Sequence, residues 1–256
     1  MNLLANDIVE RFYTFLWPML RVSALLLAAP IFSLRSFNLR LRILLAVALT
    51  WMIYPLYEWP RLDPVSAPGL VEIFNQIAIG LLMGLSLQVV TAAILLAGQS
   101  VSNAMGLSLA TMMDPNLGNV PVIAQFLVVL TTLIFVGFGG HAMLLSLVVD
   151  SFSSMPIGKG LLTEGAWAHF LSWSSMIFLG ALLLAIPVMI TLLFINIGLG
   201  VASRAAPSLN IFQVGLPAMI IAGFGVLMLT LPSMGGRIEW LWMQGFTEVR
   251  AQLGLS

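Results

Sequence analysis

Six stretches of this chain are apolar enough to be read as membrane-crossing helices, and its charges fall almost entirely between them. The stretches are Phe12–Phe32, Arg42–Trp59, Val71–Ala97, Val122–Val149, His169–Val201 and Leu209–Leu231. A hydrocarbon core of about 30 Å is crossed by roughly 20 apolar residues. A charge at the centre of a span costs about 2.5–3.5 kcal/mol on insertion scales, whereas each Leu or Ile returns about 0.3–0.6, so charges belong at span ends. Glu72, Asp114, Asp150, Lys159, Glu164, Arg204 and Arg237 obey that rule. Arg21 breaks it, lying inside the first run. Its chemistry allows burial against a carboxylate or helix carbonyls, or snorkelling to the interface, and the sequence leaves both open.

Composition closes the soluble alternative. Of 256 residues 60% are hydrophobic and 8% charged, and ten acids, ten basic residues and two histidines cannot cover a soluble surface of that size. The expected fold is all-α: a polytopic helical membrane protein, without an evident repeat or low-complexity linker. Pro60, Pro64 and Pro68 mark one connection, Pro115 and Pro121 a second, and Pro156 with Gly158 and Gly160 a third. Pro18, Pro187 and Pro217 lie inside apolar runs and predict kinked helices. The run from His169 to Val201 exceeds one span, and Gly98–Gly106 is small and polar, so the number of spans is open. Arg35, Arg40, Arg42 and Arg204 share a side if an even number of helices separates them, and that side is cytoplasmic by the positive-inside rule.

Several functions are excluded by what is missing. Net charge is zero, and no Lys/Arg cluster exceeds Arg35, Arg40 and Arg42, which argues against a nucleic-acid partner. Without cysteine there is no disulfide and no thiolate metal site. Asp7 and Glu10 stand where a cleaved signal peptide carries basic residues, so the first run reads as a retained helix. His141 and His169 form no HExxH motif, Ser108 sits in no GxSxG elbow, and there is no GxxxxGK loop, so neither an enzyme nor a cofactor or metal site is expected. Small residues at packing spacing, as in Gly80 with Gly84 and the pairs Gly198/Gly200 and Gly223/Gly225, predict close helix contacts of unspecified partner. A small-solute secondary transporter is the alternative function, with Asn75, Gln76, Gln88, Gln125 or Asn196 along a path, although these side chains serve equally as interhelical hydrogen bonders.

The most unusual segment is Met105–Pro121, apolar, rich in methionine and ending in strong turn signals. A loop carrying Leu107, Leu109, Met112 and Met113 must be buried in protein or block a cavity, because unpaired backbone is not tolerated against lipid. Methionine suits a surface that seals around varied contents. The residues alone leave core packing and gating equally open.

Met105-Gly106-Leu107-Ser108, then Ala110-Thr111, Asp114-Pro115 and Pro121-Val122, resemble the loop signature of the R component of the bacterial flagellar export gate and its virulence-secretion relatives. The likeness continues through Trp17-Pro18 with Leu20-Arg21, Ala29-Pro30-Ile31, Gly140-His141, Pro156-Ile157-Gly158, and Ala206-Pro207 with Leu209, Ile211-Phe212, Gly215 and Pro217. Gly98-Gln99 stands where the family often has Gly-Glu, and Leu109 and Met112 where relatives carry bulky aromatics.

The resemblance implies a single R copy assembled with the P and Q components into a gate of the flagellar basal body, in the bacterial inner membrane beside the B and A components. Unfolded exported proteins pass through its centre. It implies a P-like part over about 1–160 followed by a Q-like helical hairpin over about 161–256. It also implies a pore plug formed in part by Met105, Gly106, Leu107, Leu109, Met112, Met113, Asp114 and Pro115, with Gly106 and Gly118 lending backbone freedom. Arg21, Pro207, Gly215 and Pro217 are expected at structural or interface positions, the last three in a tight connection between the final two helices.

Overall fold

The computed structural model describes residues 2–30, 32, 38–107, 121–159, 164–205 and 211–255. Among these residues every regular element is helical: α1 (Asn2–Ala28), α2 (Leu39–Ile53), a 3₁₀ turn (Tyr54–Leu56), α3 (Ala67–Ala104), α4 (Val122–Gly137), α5 (Gly140–Ser154), α6 (Glu164–Ser174), α7 (Met176–Ala205) and α8 (Ile211–Gln252). Among the described residues, four stretches are long and apolar enough to cross a membrane: Leu39–Leu56, Ala67–Ala104, Gly165–Ala205 and Gly215–Gln252. A fifth forms if α4 and α5 count as one broken span.

Two of the six expected spans take a different form. Val122–Val149 is not one helix: α4 and α5 meet at 68°, because Gly139 adopts φ +79°, a left-handed conformation that ends one helix and redirects the chain. The first run lies in α1, which is not among the candidate spans and carries both Arg11 and Arg21. Pro18, Pro187, Pro217 and Pro232 all lie inside helices.

The chain divides into two compact units. The first comprises Met1–Val89, Gly139–Ser174 and Gln244–Ser256. Here the glycines four apart on α3 have a defined partner, α1. A Cβ at Gly80 would collide with the Arg21 carbonyl oxygen and come within 2.8 Å of Ala24 Cβ, and one at Gly84 would lie 2.5 Å from Ala28 Cβ. Two backbones therefore approach closely where neither carries bulk. Ser66 starts α3 by accepting from the Gly69 N–H at 3.2 Å, with Pro68 between them where no amide donor is needed. The connection ahead of it is tied down by aromatics. Trp59 Nε1 donates to the Tyr54 carbonyl at 2.8 Å, the Tyr57 hydroxyl to the Val149 carbonyl at 2.9 Å, and the Trp59 ring meets Phe152 edge-on at 5.2 Å.

The second unit comprises Val90–Phe138 and Ser175–Met243. Trp242 is buried in it, donating from Nε1 to Thr131 Oγ1 at 2.9 Å and packing edge-on against Phe135 at 4.7 Å. Gly98 admits the backbone of Ala124, bringing α3 against α4, and Gly180 admits Ala93 and Leu241. Pro187 has no N–H for the Leu183 carbonyl. Arg237 Nη1 on α8 supplies the missing donor at 2.6 Å, closing the defect that proline opens in α7. The far half of α7 presents Leu193, Phe194, Ile197 and Val201 outward, and α8 presents Ile221, Met228 and Leu229. Gly198, Gly200 and Gly225 have open space where a side chain would be.

Candidate functional site

Two of the expected sites take shape within the described residues, one in each unit. The first is built on Arg21, which is 1% exposed. Nε donates to Gln76 Oε1 at 2.7 Å, Nη1 to the Ser151 carbonyl at 2.6 Å and to Ser151 Oγ at 3.1 Å, and Nη2 to the Met155 carbonyl at 2.7 Å. The guanidinium also lies 4.3 Å from the centre of the Phe152 ring. Snorkelling is thereby replaced by burial. Two of these acceptors are the carbonyls of Ser151, in the last turn of α5, and of Met155, its C-cap, at the end where the helix dipole is negative. The carboxylate is reached indirectly: Gln76 Nε2 donates to Glu72 Oε1 at 2.5 Å, so one amide bridges the buried cation and a buried acid a helical turn away. Arg21 thus joins α1, α3 and α5 at one point, and its five donors in a rigid fork are what let it reach four acceptor atoms on three residues at once.

The second site is the start of the methionine-rich segment. The Gly106 N–H bonds the Asn103 carbonyl at 3.0 Å, and the Leu107 N–H bonds the Ser102 carbonyl at 3.1 Å. With Gly106 at φ +78°, this pair of bonds is a Schellman termination of α3. Gly106 uses its left-handed conformation to stop a helix, and its own amide and the next one are both engaged. Met105 is fully buried. Its side chain lies along Gly223 of α8, since a Cβ there would come within 2.5 Å of Cγ, 2.6 Å of Cε and 2.9 Å of Sδ.

Of the remaining site residues, Leu109, Met112, Met113, Asp114 and Pro115, together with Gly118 and Pro207, lie outside the described residues. Gly215 and Pro217 belong to the first turns of α8, so the expected tight connection does not extend to them; Gly215 is buried and Pro217 exposed. Among the polar residues noted along the spans, Gln76 is committed to Arg21 and Glu72, while Asn196 points outward from α7. His169 Nδ1 lies 3.6 Å from Glu248 Oε1, and His141 is exposed at the start of α5. Sequence reasoning missed the Arg237–Leu183 bond and the seat of Met105 on Gly223. The signals for them were Pro187 within an apolar run and Gly223 within a glycine pair.

Residues 12–245 match the family model for bacterial export proteins, family 1. The flagellar biosynthetic protein FliR of Pectobacterium carotovorum subsp. carotovorum is 37% identical over 254 residues, covering 98% of this chain and 97% of its own. FliR of Escherichia coli K12 is 37% identical over 233 residues, 91% of this chain and 89% of its own. The Yop proteins translocation protein T of Yersinia pestis is 29% identical over 220 residues, covering 82% and 83%.

Proposed function

The chain belongs to the family of bacterial export proteins, family 1, and from that membership we propose that it is a core subunit of the flagellar type III export gate in the inner membrane. It forms, with the P and Q components and beside the B and A components, the channel through which unfolded flagellar substrates cross. It carries out no catalysis of its own. The observation that carries this reading is the near-complete coverage of flagellar relatives, supported by outward apolar faces on α7 and α8 that lack the charges of a water-facing surface. Those faces fit neighbouring subunits as well as lipid. The two flagellar relatives at 37% identity favour flagellar cargo. The P-like part over about 1–160 and the Q-like hairpin over about 161–256 belong to the same proposal.

Within the gate, residues 105–121 form part of the plug, with Leu109, Met112 and Met113 excluding water and ions as an apolar constriction does. The test is replacement of Leu109 and Met112 by Ser in the assembled gate. The proposal expects a gate of normal composition that leaks ions; an assembled gate that remains sealed contradicts it, and failure to assemble assigns these residues to packing.

A further inference from the structure

We infer that Gly223 is the positioning residue for the start of the 105–121 segment, holding Met105 against α8 so that the end of α3 is a fixed abutment during export. The inference rests on the plug reading only for what the segment does; the contact itself lies among described residues. Both the near end and the far end of the Met105 side chain lie over Gly223, at Cγ and Cε respectively. The chain therefore runs lengthwise along the helix, and a side chain at 223 would displace all of it, not one terminal methyl. Met105 is 0% exposed, so the displaced thioether would have to move within a packed interior.

The neighbouring backbone is equally committed. The Met105 N–H bonds the Val101 carbonyl at 3.0 Å, and the next two amides are taken up by the Schellman bonds to Asn103 and Ser102. A Cβ at Gly106 would meet Leu216 Cδ2 of α8 at 3.1 Å, in addition to being strained at φ +78°. Two successive residues at the end of α3 thus fit two positions of α8, Gly223 and Leu216. By contrast, nothing lies within 4 Å of a Cβ placed on Gly225, two residues away.

The experiment uses the absence of native cysteine. Met105→Cys and Gly223→Cys together place one disulfide across the contact, in the full gate in cells. The inference expects the bond to form in membranes and substrate export to stay within about twofold of the reduced gate. Failure of the bond to form, or export that stops until a reductant is added, overturns it. In parallel, Gly223→Val raises ion leak of the assembled gate about tenfold, the scale of coupling between residues in contact. Gly223→Val with Met105→Ala returns it towards the Met105→Ala level. Where Gly223→Val does leak, absence of that rescue, with the chain folded, also overturns the inference. Disulfide formation is read independently of leak or export, so failure of the plug reading is distinguishable from failure of the anchor.

Discussion

The Arg237 guanidinium donates to the carbonyl of Leu183 at 2.6 Å, the carbonyl that Pro187, four residues further along α7, has no N–H to satisfy. The arginine on α8 and the proline on α7 are therefore one structural feature. Arg237→Met should cost about 1 kcal/mol, the net worth of a hydrogen bond, in the detergent-solubilised chain. In a Pro187→Ala background, where the helix supplies its own donor, the same substitution should cost close to nothing. Chemical denaturation of the four chains in this cycle checks it.

The Arg21 centre predicts a larger effect and a strict side-chain requirement. Arg21→Ala removes charge-assisted bonds to two α5 carbonyls and to Gln76, and should cost about 3 kcal/mol or more. Arg21→Lys should recover little of this, because one ammonium cannot present the same planar fork. Folded yield and protease resistance of the two variants provide the measurement. A lysine variant as stable as the parent would contradict the geometry.

The glycines divide into those with a neighbour and those without. Gly84→Val drives a branched side chain into Ala28 at the end of α1 and the adjoining Ala29 and should destabilise the isolated chain by about 1–3 kcal/mol, as overpacking does. Gly198→Ala meets open space and should be neutral or stabilising by up to about 1 kcal/mol from helix propensity. Thermal unfolding in detergent separates them. If α7 is covered by a partner subunit, Gly198→Val should leave the isolated chain folded and impair assembly.

Trp242 predicts a graded response. Trp242→Phe keeps the ring against Phe135 and loses the bond to Thr131, for a cost of about 1 kcal/mol. Trp242→Ala empties a fully enclosed position and should cost about 3–5 kcal/mol. Equilibrium denaturation followed by helical circular dichroism distinguishes the two.

What was legible in the sequence was what hydropathy and a few backbone rules control. The all-helical membrane fold follows from apolar runs bounded by charge, and the buried cation at Arg21 stands out because its insertion cost demands an explanation. Its partners were not legible, because Gln76, Ser151 and Met155 come together only through the packing of α1, α3 and α5. Gly139 ends α4 through a left-handed conformation, yet Gly137, Gly139 and Gly140 are equally permissive in sequence, so the bend at 68° was read as a continuous run. That Gly106 ends α3 was not legible either, because the hydrogen bonds around its left-handed conformation form only in the folded turn. Pro187 signals a missing donor, but that Arg237 of another helix supplies it is not legible from spacing.

The central claim is membership of a hetero-oligomeric gate, and native mass spectrometry tests it most directly. The tagged chain is co-expressed with the P and Q components, purified in mild detergent and weighed as an intact assembly. The account predicts one copy of this chain among several copies of the other two. A monomer or homodimer, with the P and Q components present in the membrane but absent from the purified species, would contradict it.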